Sequence, residues 1–217
     1  MPSLVLVIGN KAYSSWSLRP WLLMKQAGIP FEELRLSLYN QDARQALLTY
    51  SPTGRVPVLK DGAITIWDSL AICEYLAEQY PRMQLWPADG ATRAHARSIS
   101  AEMHSGFMTL RSQMPMNVRR KLPRRTQSAD LDADIARIEA IWNQCRALHS
   151  AQGPFLFGGF CIADAMYAPV ASRLHTYGVS LGGAAGQYAG AMQALPAMQE
   201  WIAGARTETE VNPQYEA

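Results

Sequence analysis

Hydrophobic residues recur first in short runs and later in long helical stripes. Leu4-Val5-Leu6-Val7-Ile8 is a continuous apolar run closed by Gly9-Asn10, the pattern of a buried strand. After a polar loop, residues 17–27 take helical spacing, with Leu18, Trp21 and Leu22 on one stripe and Gly28 as the stop. Residues 31–38 alternate in part (Leu34, Leu36, Leu38) and predict a second strand, and residues 42–49 predict a short helix. Residues 56–60 predict a third strand, Asp61-Gly62 a hairpin turn, and residues 64–67 the returning strand. Asp68-Ser69 then opens a helix through Leu70, Ile72, Cys73, Leu76 and Tyr80. The order βαβα followed by ββα predicts a parallel pair of strands with an antiparallel edge.

Past this point the periodicity changes. Residues 81–90 hold two prolines and a glycine and read as a linker, with Leu85 and Trp86 tucked between layers. From residue 91 onward no strand pattern appears. Helices are predicted over 92–114, 131–150, 163–178 and 187–205, the last broken before Pro196. Gly182-Gly183-Ala184-Ala185-Gly186 reads as a flexible loop. The chain therefore reads as an α/β domain over 1–80, a linker over 81–90 and an all-α domain over 91–217.

Composition narrows the function. At 217 residues and 48% hydrophobic, with a net charge of +2, the chain is not a disordered one. Its longest apolar run is five residues, against the roughly 20 that cross a bilayer, and Met1-Pro2-Ser3 is not the basic start of a secretory leader. Cys73, Cys145 and Cys161 are scattered and form no CxxC pair, which argues against a disulfide scaffold or zinc ribbon and for a reducing cytoplasm. The four histidines have no metal-ligand spacing, so no metal is expected. The basic run Arg119, Arg120, Lys121, Arg124 and Arg125 lacks interleaved aromatics and is followed by Asp130, Asp132 and Asp134. It reads as a solvated loop rather than a nucleic-acid patch. The charged fraction of 18% is below the usual ~25% and points to extra buried surface.

Three features fall where this topology would bring them together. Ser14, Ser15, Trp16 and Ser17 stand at the start of the first helix, where free N–H groups and the helix dipole attract an anion. A serine there either donates its hydroxyl to a thiolate or simply caps the helix. Val56-Pro57 follows a glycine-containing loop. It is either a cis proline that presents Val56 to a peptide-like ligand or an ordinary trans proline opening a strand. Asp68-Ser69 opens a later helix and suits the ammonium and carboxylate of an amino-acid head group, or again a cap.

In this order the three segments resemble the glutathione transferase superfamily, over essentially the whole chain. Residues 13–21, Tyr-Ser-Ser-Trp-Ser-Leu-Arg-Pro-Trp, are similar to the serine-type active-site segment of zeta-like bacterial members. Residues 51–59 look like the family's cis-proline loop, residues 67–76 like its γ-glutamyl-binding segment, and residues 160–170 like the start of its central C-terminal helix. The chain departs from the zeta pattern at Trp16, where those enzymes carry cysteine, and at Cys161, where the capping box carries Ser or Thr. A thiol is a poor acceptor, so that cap is expected to be weaker by up to ~1 kcal/mol.

The resemblance implies a thioredoxin-like N-terminal domain, an all-helical C-terminal domain, a cytoplasmic homodimer and a detoxifying transferase with glutathione as co-substrate. It implies Ser14, with Ser15 as the second candidate, against the glutathione sulfur. Val56 and Pro57 would meet the cysteinyl part, and Asp68 and Ser69 the γ-glutamyl end. Arg55, Gln41 or Arg44 would meet the glycyl carboxylate. Glutathione-dependent isomerisation or reduction, or a non-catalytic binding role, are the alternatives. An electrophile pocket is expected between the domains from Trp16, Met103, Phe107, Met108 and Arg111, with Met114 and Met116 near it and His104 as an acid–base candidate. Methionines suit an adaptable pocket, although such a stripe also serves as core. No nucleic-acid or membrane partner is expected.

Overall fold

The structure, a computed structural model, describes residues 4–40, 42–124 and 128–216. Its first part is a four-stranded mixed sheet of β1 (Leu4–Ile8), β2 (Phe31–Arg35), β3 (Val58–Asp61) and β4 (Ile64–Trp67). The spatial order is β2-β1-β3-β4, with β1 parallel to β2 and antiparallel to β3. An interior place explains the unbroken apolar run of β1, where Leu6, Val7 and Ile8 are fully buried.

Two strands are shorter than their patterns predict. The ladder of β2 closes with Leu36 N–H on the Ile8 carbonyl (2.9 Å), and Leu38 N–H instead donates to the Asn10 side chain (2.9 Å). β3 begins only at Val58, because Pro57 has no N–H for a ladder. The Val56–Pro57 bond is cis, as the family resemblance implies.

Helices α1 (Ser15–Gln26) and α3 (Ser69–Gln79) pack together against the sheet, and α2 (Ala43–Leu48) bridges β2 and β3. α1 starts two residues before the predicted residue 17 because Ser14 caps it, and past its last residue, Gln26, the chain turns at Gly28, whose φ of +65° favours glycine.

The second part is helical among the described residues: α4 (Gly90–Ser105), α5 (Met108–Gln113), α6 (Ala129–His149), α7 (Ile162–Thr176), α8 (Gly183–Ala194) and α9 (Pro196–Arg206). The single helix expected over 92–114 is broken between α4 and α5. Gly106 is extended, Phe107 sits at φ +58°, and the Arg111 side chain folds back to donate to the carbonyls of Gly106 (2.9 Å) and Met103. The glycine-rich stretch read as a loop is the first turn of α8, held by Ala185 N–H on the Asn143 side chain (3.0 Å). The break before Pro196 is present.

α7 is the hub. Every residue of Ile162–Leu174 is buried, and one hydrophobic core runs from β1 and α1 through α7 to Trp142 and Trp201. Trp21 of α1 meets Trp201 of α9 edge-on at 5.0 Å. The cap of α7 rests on Asp164, which accepts from Cys161 N–H (2.9 Å) and Leu156 N–H (3.0 Å). The three cysteines are buried and free. The basic run is taken up locally: Arg119 and Arg120 pair with Glu216, Lys121 with the His175 carbonyl, and Arg124 with Asp132, while Arg125 lies outside the described residues. Among the described residues no helix is long and apolar enough to cross a membrane.

Candidate active site

The start of α1 opens into a cavity of about 510 Å³ lined by Ser14, Ser15 and Trp16. Ser14 is the cap of α1. Its Oγ accepts from Ser17 N–H at 3.4 Å and donates to Ser17 Oγ at 2.8 Å, so its proton points inward. Ser15 is arranged differently. Its Oγ accepts from Arg173 Nη2 (3.3 Å), which leaves its own proton available to an acceptor in the cavity. Trp16 is held by cations: the guanidinium of Arg19 lies 4.2 Å and that of Arg111 4.8 Å from its ring centroid. His104 meets it edge-on at 5.3 Å.

A second cavity, about 350 Å³, shares Trp16, Arg55, Val56 and His104 with the first and is completed by Thr53, Pro57, Trp67, Asp68 and Ser69. Asp68 sits at φ +75°, a costly conformation for a non-glycine residue. That placement lets Oδ1 accept from Leu70 N–H (2.9 Å) and Ala71 N–H (3.2 Å), capping α3, while Oδ2 lies 3.0 Å from His104 Nε2. Ser69 is buried, and its Oγ accepts from Arg19 Nη1 at 3.4 Å.

Arginines dominate the electrostatics. Arg19 is fully buried, with its Nε on the Met166 carbonyl (3.2 Å), and its Nη2 has no partner among the described residues. Arg173 is buried against the carbonyls of Met114 and Pro169. Neither these two nor Arg111 forms an ion pair among the described residues. Burial, then the charge of Arg111, pulls Arg173 down to about 9 and Arg19 well below its ordinary value. Burial also lowers His104, against the pull of Asp68 and with the help of Arg19 and Arg111. His104 is therefore neutral at pH 7 and donates to Asp68 as a hydrogen bond. Such a cluster, lacking carboxylate partners, favours a bound anion or thiolate.

The sequence-predicted residues divide. Ser14, Ser15, Trp16, Arg55, Val56, Pro57, Asp68, Ser69, Met108, Arg111, Met116 and His104 line one cavity or both. Met103, Phe107 and Met114 line neither. Their side chains are buried in the core, the alternative that a stripe at helical spacing also allowed. Arg44 is exposed and lines neither cavity, and Gln41 lies outside the described residues. The sequence patterns did not single out Tyr39, Arg173 or Tyr215. A lone arginine within the apolar run of α7 was the legible sign for Arg173.

A family model described as the glutathione S-transferase N-terminal domain matches residues 13–79. Maleylacetoacetate isomerase of Rattus norvegicus is 39% identical over 101 residues, 45% of this chain and 46% of that protein. This chain thus matches about half the length of that relative. Glutathione S-transferase GstB of Escherichia coli strain K12 is 27% identical over 73% of this chain and 78% of that protein. Among solved structures, a glutathione transferase homolog from a Burkholderia, with bound glutathione, superposes with a TM-score of 0.72 at 25% identity, over 96% of this chain and 100% of that one. Residues 13–79 thus match the glutathione S-transferase N-terminal domain, and the chain as a whole has the fold of a glutathione transferase.

Proposed function

We propose that this chain is a glutathione-dependent enzyme of the zeta-like, serine type, which ionises the thiol of glutathione and brings it to an electrophile in the adjoining cavity. One observation carries this reading: the two cavities meet at Trp16, next to the serines that line the larger one, and at Arg55, Val56 and His104. Glutathione would lie over residues 1–80 with Val56 and Pro57 beside its cysteinyl part and Asp68 and Ser69 at its γ-glutamyl end. Arg55, which lines both cavities, is the candidate for the glycyl carboxylate. Residues 81–90 would link this domain to the helical substrate domain, 91–217. A free thiol of pKa ~8.5 is mostly protonated at pH 7, so a hydroxyl donor, a helix N-terminus and nearby guanidinium groups favour the thiolate. The location is proposed to be cytoplasmic. The assembly is proposed to be a homodimer through the face bearing exposed Ile64 and Trp67.

The larger cavity favours a second reading of the chemistry. Arg111 and Arg173 line it beside Met108 and Met116. A purely apolar electrophile would leave both cations without a counter-charge, whereas one bearing a carboxylate would pair with them. This supports isomerisation of an unsaturated carboxylate, the kind of reaction that the name of the rat relative denotes, alongside conjugation of an apolar electrophile.

Calorimetric titration with glutathione is the first test. Binding is expected, and no heat at millimolar glutathione would leave a non-catalytic binding role. Ser14→Ala and Ser15→Ala are then compared for turnover. Loss of about a hundredfold or more in kcat with binding retained identifies the sulfur donor. Equal, wild-type turnover in both variants would overturn the serine assignment.

A further inference from the structure

The segment 207–216 crosses from the helical part back to the loop that precedes Ser14. Glu208 is central to it. One carboxylate oxygen accepts from Lys11 N–H (2.6 Å) and the other from Ala12 N–H (3.0 Å), and its side chain is 4% exposed. These are adjacent amides of the loop between β1 and α1, which otherwise would need water. The Ala12 carbonyl on the same loop accepts from Val118 N–H (3.1 Å). Glu216 reaches Tyr13, the residue before Ser14, through the Tyr13 hydroxyl, and is itself held by Arg119 (3.0 Å) and Arg120 (2.8 Å). Asn212 N–H donates to the same Tyr13 oxygen (3.2 Å), and Glu210 pairs with Arg35 (2.9 Å) at the end of β2.

The segment also borders the larger cavity. The Tyr215 ring packs on Tyr13 at 5.5 Å, and Tyr13 packs edge-on against Tyr39 at 5.5 Å. All three line the cavity with Ser14 and Ser15. Charge-assisted bonds to backbone amides are strong and directional, and two carboxylates acting on three consecutive residues constrain the loop from outside. Rotation of the Lys11–Ser14 loop by a fraction of an ångström would shift the hydroxyl donors, and such displacements are costly to a positioned reaction.

We propose that segment 207–216 is a strap with two roles: Glu208 and Glu216 are positioning residues that fix the loop bearing Ser14, and Tyr215 is a specificity-determining wall that limits the electrophile admitted. The proposal rests on the glutathione-dependent reading for its kinetic arm, while its loop-ordering arm needs no substrate.

The test uses the full chain, with glutathione and two probe electrophiles, a small and a bulky aryl halide. Glu208→Ala is expected to lower kcat about tenfold while changing the KM for glutathione less than about threefold, with Glu208→Gln, whose one amide oxygen can accept from only one of the two N–H groups, recovering only part of the loss. Hydrogen exchange at residues 11–15 is expected to quicken about tenfold in Glu208→Ala and Glu216→Ala but not in Tyr215→Ala. Tyr215→Ala is expected to raise kcat/KM for the bulky halide over the small one about fivefold. If wild type fails to bind glutathione but loop exchange responds as stated, the functional reading falls and the strap stands. Unchanged loop exchange in both glutamate variants overturns the strap, as does an unchanged halide ratio for the wall. Loss of folded Glu208→Ala leaves Glu208→Gln, Glu216→Ala and Tyr215→Ala to decide by the same readouts.

Discussion

At Arg173 a single side chain shows how stability and function pull apart. A buried guanidinium without a carboxylate partner is expensive, and three neutral acceptors (Ser15 Oγ and two carbonyls) only partly offset that cost. Replacing it with Met would remove the charge but strand those acceptors, at about 1–3 kcal/mol each where no water reaches them. The two effects oppose each other. Arg173→Met is therefore expected to shift thermal stability by only a few degrees while lowering turnover of a carboxylate-bearing electrophile by about a hundredfold. Thermal melts beside steady-state kinetics check this, and full activity with such a substrate would remove Arg173 from the site. The serines make the same point from the sequence side. That Ser14 or Ser15 stood at a helix start was legible from the residues alone. That Ser14 turns its proton to Ser17 while Ser15 receives one from Arg173 was not, because Ser15 and Arg173 lie 158 residues apart.

Among the elements, the short-range signals were legible and the long-range ones were not. The order of strands and helices in the first domain followed from alternation, from Gly28, and from the Asp61-Gly62 turn. Helix starts at Asp68 and helix ends at Gly28 obey local chemistry. The break between α4 and α5 escaped because Met103, Phe107, Leu110 and Met114 keep helical spacing across it. A glycine in such a stripe costs only about 1 kcal/mol, too little to mark a break. The structure settles the matter through the Arg111 side chain, which supplies donors to carbonyls at the end of α4. The cap of α7 was legible, including the loss of a good acceptor at Cys161, but its pH dependence needed the fold. Burial pushes Asp164 from 3.8 up to about 6, against the bonds from Leu156 and Cys161 that favour its ionised form. Since the folded value is the higher one, this group's contribution is fully present below pH 3.8 and declines as pH rises through about 6. The stability of wild type relative to Asp164→Asn should thus fall between pH 4 and 7. Denaturant titrations at several pH values would show it, and a difference constant with pH would contradict it.

Over the whole molecule, a low charged fraction and a near-neutral net charge are consistent with a core that passes through both halves without a gap. Among the long-range ties that charged side chains make, those of Glu208 and Glu216 meet on the loop before Ser14. Glu216 is the clearest of them. Burial alone would raise its carboxyl, yet hydrogen bonds from Tyr13, Arg120 and Arg119 outweigh that and take it from 4.5 to about 2. A depressed folded value stabilises the fold above pH 4.5 and loses that contribution as pH falls through about 2. Wild type should therefore lose stability on acidification more steeply than Glu216→Gln, which keeps an acceptor for Tyr13 but has no charge to protonate. The loss should appear first as cleavage within 207–216 under limited proteolysis at falling pH, because the strap carries few buried apolar contacts and opens at less cost than the core. Parallel acid slopes for the two proteins would mean that Glu216 does not tie the segment to the loop.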